Sequence, residues 1–94
     1  MNGLNKDYKS NLLQELLVIT MEECSELIQE CSKQIRFNSD DFTNLQNEIG
    51  DVVCMIELLQ NFGIVDNSKI LTRVGVKKNK LKKWSTHLKE SNLI

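Results

Sequence analysis

NLLQELLVITMEECSELIQECSKQIRF, residues 11–37, decides the fold. Leu13, Leu16, Leu17, Cys24, Leu27, Cys31 and Ile35 return along it at helical spacing, without the strict alternation of a strand. No glycine or proline interrupts the stretch. It predicts one long helix from Ser10 or Asn11 to about Phe37, bent near Thr20. Working outward, Asn38-Ser39-Asp40-Asp41 reads as a loop, being rich in residues that favour turns and caps. Thr43 with Gln46 three residues on has the form of a capping box, so a second helix is expected from near Asn44. That helix runs through Leu45, Ile49, Val52, Val53, Ile56 and Leu59, with Gly63 placed to end it as the C′ residue. A third helix is expected from Asp66 or Asn67 to about Leu88, with Ile70, Val74, Leu81, Trp84 and Leu88 on one face. The fold class that follows is all-α, an antiparallel helical bundle of about three main helices per chain.

Ninety-four residues with no proline and four glycines fit one small domain, residues 1–94, with residues 1–9 and 89–94 loosely ordered. Three amphipathic segments supply little core for a lone protomer. The bundle is therefore expected to be completed by oligomerisation, as a homodimer or homotetramer. A net charge of -1 implies no general attraction to nucleic acid or to a membrane, although Lys77, Lys78, Lys80, Lys82 and Lys83 crowd together. The polar start, Met1 to Ser10, lacks the apolar centre of a signal peptide, and no apolar run has the length of a membrane span. Cys24, Cys31 and Cys54 are odd in number and form no CxxC pair, so they read as small buried thiols in a reducing cytoplasm.

The chemistry lies in the carboxylates. Glu23 and Glu26 stand three apart on the first helix, and Glu48 and Asp51 have the same spacing on the second. Residues three apart share a helix face, so packing the two helices would turn four carboxylates toward one point. In projection Glu23 lies at the margin of the apolar stripe and Glu48 falls within the apolar arc of its own helix. A carboxylate among Leu and Val is costly unless a cation or hydrogen bonds compensate. All-oxygen ligands suit Mg²⁺, and the absence of nearby His or Cys ligands disfavours zinc and copper. His87, the sole histidine, is expected at the surface. Lys77 sits in the middle of the apolar face of the third helix, either snorkelling to water or presenting an ammonium to an anionic ligand.

Three segments together resemble a known family. EECSELIQE at 22–30, NEIGDVV at 47–53 and KKNKLKKW at 77–84 are similar to the MazG-like, all-α nucleoside triphosphate pyrophosphohydrolases. These carry E-x-x-E, a spacer of one to two dozen residues, and then E-x-x-D. The resemblance covers about residues 11–84. It implies Mg²⁺-dependent hydrolysis of a nucleoside triphosphate to the monophosphate and pyrophosphate, with Mn²⁺ as a possible substitute. It carries the metal ligands onto Glu23, Glu26, Glu48 and Asp51. It assigns phosphate contacts to Lys77 and Lys80, with Lys33 and Arg36 as weaker candidates. The related phosphoribosyl-ATP pyrophosphohydrolases usually show Tyr-His after the second acidic motif, where Val52-Val53-Cys54-Met55 stands here, so that branch is disfavoured. The arginines of the larger members' last helix are also absent.

Two rival readings stand beside this one. The chain is either a non-catalytic helical interaction or regulatory subunit with a solvated acidic face, or a divalent-ion binder without turnover. Glu48 discriminates, because a solvated face gives no reason to place it within an apolar arc.

Overall fold

The computed structural model describes the backbone of residues 3–94 and the side chains of residues 11–94. Among the described residues all regular structure is helical: α1 (Gly3–Phe37), α2 (Thr43–Phe62), α3 (Asn67–Trp84) and α4 (Thr86–Ser91). The all-α expectation holds. The chain divides into two compact units, residues 1–61 and 62–94.

The first unit is an αα-hairpin. α1 begins at Gly3, upstream of the Ser10–Asn11 start marked by the apolar pattern, so all but Met1 and Asn2 of the expected loose lead-in is helical; those two lie outside the described residues. The helix continues through Thr20, whose hydroxyl donates to the Leu16 carbonyl at 2.7 Å. It ends at Phe37, followed by Asn38 at a positive φ of 48°, which asparagine tolerates better than most residues. The start of α2 differs from the Thr43–Gln46 box. Asp41 holds it instead, its carboxylate accepting from Thr43 N at 3.0 Å, and Ser39 Oγ accepts in turn from Asp41 N. Gln46 N donates to Phe42 O, so the first helical turn forms one residue earlier than expected. Gly63, at φ 92°, closes α2 in the left-handed region as the sequence indicates.

Burial along the hairpin is more finely divided than the single stripe read from the sequence. On α1 the buried or half-buried line is Leu16, Thr20, Glu23, Leu27, Glu30 and Gln34. On α2 it is Leu45, Glu48, Val52, Met55 and Leu59. Both lines alternate steps of three and four, as seam positions between packed helices do. The buried apolar core sits at one end of the seam in Leu16, Met55 and Leu59, each contributing about 1.5–3 kcal/mol.

Stepping one residue forward from each seam gives Leu17, Met21, Cys24, Ile28, Cys31 and Ile35 on α1, with Ile49 and Val53 on α2, all exposed. Leu17, Cys24, Cys31 and Ile35 therefore do not belong to the core, although the sequence pattern groups them with it. The buried-thiol expectation is likewise corrected: Cys24, Cys31 and Cys54 are exposed, because each stands one position off a seam.

In the second unit Asp66 caps α3, accepting from Ser68 N at 2.8 Å and from Ser68 Oγ at 2.7 Å. The third helix was expected to reach Leu88 but stops at Trp84. Ser85 takes an extended conformation, donates its N–H to Leu81 O and accepts from Leu88 N, ending one helix and capping the next. Residues 89–91, expected to be loose, complete α4. Ile70, Leu81 and Leu88 are half-buried, whereas Val74 and Trp84 of the same expected face are exposed. The five clustered lysines and His87 are exposed. No described helix is long and apolar enough to cross a membrane.

Candidate metal centre

Glu23 and Glu48 occupy seam positions, where a helix pair ordinarily places Leu or Val. Both are half-buried. Glu26 and Asp51 stand one residue before a seam position, at 27 and 52, and both are exposed. The helices run antiparallel, so stepping backward turns the same way on each, and Glu26 and Asp51 emerge on one side of the hairpin. One ligand oxygen from each of Glu23, Glu26, Glu48 and Asp51 lies within 4.8 Å of the other three. The four carboxylates singled out by the two motifs therefore meet. Glu23 and Glu48 form the floor of the cluster, and Glu26 and Asp51 form a rim open to solvent.

The electrostatics of the floor are unfavourable as they stand. Glu23 Oε2 and Glu48 Oε2 are shielded from solvent and have no hydrogen-bond partner. The pKa of Glu48 is raised above 4.5 first by desolvation, then by the Glu26 charge and a hydrogen bond with Glu26, then by Asp51 and Glu23. That of Glu23 is raised above 4.5 first by desolvation, then by Glu26, Asp51 and Glu22. Glu22 thus acts on the cluster through its charge, and its side chain is exposed. Nothing in this arrangement offsets four crowded acids except protons or an added cation.

A divalent cation fits the space. Opposite oxygens of octahedral Mg²⁺ stand about 4.1 Å apart, and those of Ca²⁺ about 4.6–5.2 Å. Separations of up to 4.8 Å are within reach of a single hard ion. The donors are all carboxylate oxygens, which hard cations favour, and the two shielded oxygens have no hydrogen-bond partner among the described residues.

Of the weaker phosphate candidates, Lys33 is seven residues after Glu26 and shares its side of α1, further along toward the loop, whereas Arg36 is turned about 80° from Glu26, away from the seam. Arg36 rests its guanidinium over the Phe37 ring at 5.3 Å. Lys77 and Lys80 belong to the second unit and are exposed on α3. Between Lys33 and the start of α2 lies a cleft of about 270 Å³ lined by Glu30, Lys33, Gln34, Phe37, Ser39, Asp41 and Asn44. Gln34 was not singled out from the sequence. Its Nε2 donates to Asp41 O at 2.9 Å, while its Oε1 is shielded and unpartnered. The three-four count from Glu23 through Leu27 and Glu30 would have found it.

Asp41 and Asp66 form a contrasting pair of acids. Each has its pKa lowered below 3.8, first by side-chain hydrogen bonds from Thr43 and Ser68 respectively and then by the backbone N–H groups at the helix starts.

No family profile, curated protein or solved structure matches the chain. The functional reading rests on the site itself.

Proposed function

We propose that this chain is a Mg²⁺-dependent nucleoside triphosphate pyrophosphohydrolase, with Mn²⁺ as a substitute ion. One observation carries the proposal: Glu23 and Glu48, each with a solvent-shielded, unpartnered carboxylate oxygen, lie with Glu26 and Asp51 so that one oxygen from each meets within 4.8 Å. Catalysis further draws on the resemblance of the acidic motifs and lysine-rich helix to the MazG-like enzymes, which remains a likeness of short segments.

When bound, Mg²⁺ supplies charge neutralisation along the triphosphate and acidification of the attacking water. The chain's residues do the rest. Glu23 and Glu48 fix the floor of the site, and Glu26 and Asp51 complete the donor set while leaving room for phosphate oxygens. Water attacks the α-phosphorus in line, the α–β bridging P–O bond breaks, and pyrophosphate departs with the bond's electrons. The attacking water's proton passes to a carboxylate of the cluster that is not fully engaged by the ion. Lys77 and Lys80 are the phosphate contacts implied by the resemblance, with Lys33, on the rim side, and Arg36 as the weaker candidates. Such a substrate places the protein's work in the cytoplasm.

Incubating the chain with the canonical and deoxy nucleoside triphosphates and Mg²⁺, and following pyrophosphate and monophosphate, tests the proposal. Stoichiometric monophosphate and pyrophosphate are expected from at least one triphosphate. Orthophosphate release or no turnover across the panel would overturn the catalytic reading. Retained cation binding without turnover would favour the binder alternative.

A further inference from the structure

α3 holds seven Lys or Arg and no Asp or Glu among its 18 residues, in a chain whose net charge is -1. A solvated helix face ordinarily mixes signs and gains i,i+4 ion pairs. Lys69, Arg73 and Lys77 instead repeat like charge at that spacing, which costs helix stability unless anions arrive. At 100° per residue Lys69, Arg73, Lys77, Lys80 and Trp84 fall within one arc of about 80°. All five are exposed, and Trp84 is 82 % so. The chain's one tryptophan therefore stands in the open, at the end of a line of four cations. Asp66 heads the line, but its carboxylate is engaged by Ser68 N and Ser68 Oγ and offsets at most one of the four charges. Lys69 and Arg73 also line a cleft of about 530 Å³ together with Ile64, Val65 and Ile70. The line thus has space beside it for more than a bare anion.

We infer that this line is a binding surface for single-stranded nucleic acid, its cations following the phosphate backbone and Trp84 stacking on a base. The line runs about 22 Å, and its cations stand about 4.5–6 Å apart along the axis. That spacing suits consecutive phosphates of one extended strand. An aromatic platform beside a row of cations is the other half of single-strand recognition, whereas a duplex hides its base faces within its stack. A lipid surface is a poorer match, because it calls for a broad apolar face. Ile70 and Leu81, next to the line, are half-buried, and on that arc only Val74 between them is open. The overall charge of -1 gives a polyanion no general attraction, so affinity resides in the line itself. Lys77 and Lys80 are shared with the triphosphate contacts of the proposed function, whereas Lys69, Arg73 and Trp84 are not. The inference rests on α3 alone and stands whether or not the chain hydrolyses nucleotides.

Because the chain has one tryptophan, Trp84 is its own reporter. An oligothymidylate longer than the line is titrated into the full chain with EDTA present, so that turnover plays no part, and Trp84 emission is followed. Saturable quenching is expected, with the logarithm of the binding constant falling against that of salt concentration at a slope of about -2.8, as four single-strand phosphate contacts give. Lys69→Gln and Arg73→Gln should each make the slope shallower by about 0.7. Lys82→Gln, on the opposite side of α3, should leave it unchanged. With an end-labelled strand followed by anisotropy, Trp84→Leu should weaken binding about fivefold or more. The inference would be overturned by an absence of quenching at low salt, or by a Lys82→Gln effect on the slope equal to that of Lys69→Gln. It would equally be overturned by a duplex of the same length binding as tightly as the single strand, or by anionic phosphatidylserine vesicles binding more tightly, which would make α3 a lipid-facing helix. Circular dichroism checks that each variant keeps its helices. Where one does not, the wild-type titrations with strand, duplex and vesicle decide alone.

Discussion

Asp41 and Asp66 share a residue class with Glu23 and Glu48 and have opposite physics. The aspartates stand at helix starts, where unpaired backbone N–H groups and a neighbouring hydroxyl donate to them, and their pKa values are lowered. The glutamates stand mid-helix, where every backbone donor is already used, and they face one another across a seam with their pKa values raised. The first kind of acid is satisfied by the fold and stabilises it. The second keeps one shielded, unpartnered oxygen on each glutamate and is crowded by like charge.

Glu48→Gln should remove turnover, with a loss of about a hundredfold or more in kcat, since one half-buried carboxylate of the cluster is deleted at nearly constant shape. The same change should raise the Tm of the metal-free chain, because an amide carries no charge to crowd its neighbours. Wild-type pyrophosphate release by this variant would dissolve the contrast, making Glu48 only an oddly placed surface acid.

Anions drawn to such a centre call for cations on the protein. Lys77→Met should lower kcat/KM about thirtyfold or more, with kcat falling in step if the contact forms mainly in the transition state. Lys82→Met should change little, being screened by water and salt. Equal small losses in steady-state kinetics would show the lysine run to be a solvated face, and Lys33 and Arg36 would then carry the phosphate contacts.

The pH dependence of stability separates the two kinds of acid directly. The folded chain holds protons on Glu23 and Glu48 more tightly than the unfolded chain does. Metal-free stability should therefore decline as pH rises from about 4.5 through their raised folded values, and level off above them. Asp41 and Asp66 act in the opposite sense. Their stabilisation is present above 3.8 and is lost as pH falls through their lowered folded values. Thermal melts across pH should show a mildly acidic maximum, with a neutral-side decline that Mg²⁺ removes and Glu48→Gln reduces. A neutral-side profile that is flat without Mg²⁺ would contradict the account of the glutamates.

The smallest effect is expected at the caps. Asp66→Ala should lower Tm by a few degrees and Asp41→Ala by a similar amount, since each leaves helix-start donors to water. Neither should alter turnover, and a large loss of activity in Asp66→Ala would mean that its role extends beyond capping.

The difference between the two kinds of acid also explains what the sequence made legible. Asn38-Ser39-Asp40-Asp41 and Gly63 announce the hairpin's ends through local backbone chemistry, and both ends fall where that chemistry indicates. The i,i+3 spacing of Glu23 with Glu26 and of Glu48 with Asp51 likewise survives, because a helix fixes it. The division of α1 into a seam and an outward stripe was less accessible. Leu16 and Leu17 are adjacent and equally apolar, and only packing against α2 decides that one is buried and the other is 45 % exposed. Cys24 and Cys31 were misplaced for the same reason. The break at Ser85 lies among the weaker helix formers Trp84, Ser85, Thr86 and His87, but the apolar spacing runs on through it to Leu88, and one serine acts as the C-cap of α3 and the N-cap of α4.

The proposal makes Glu23, Glu26, Glu48 and Asp51 one cation site whose floor is short of a positive charge. Titrating Mg²⁺ into the metal-free chain by calorimetry, in buffers of different ionisation enthalpy at mildly acidic pH, tests it most directly. The account predicts saturable binding with net proton release, stronger as pH rises, and weakened by about tenfold or more with reduced proton release in Glu48→Gln. Binding that releases no protons, or that Glu48→Gln leaves unchanged, would contradict it.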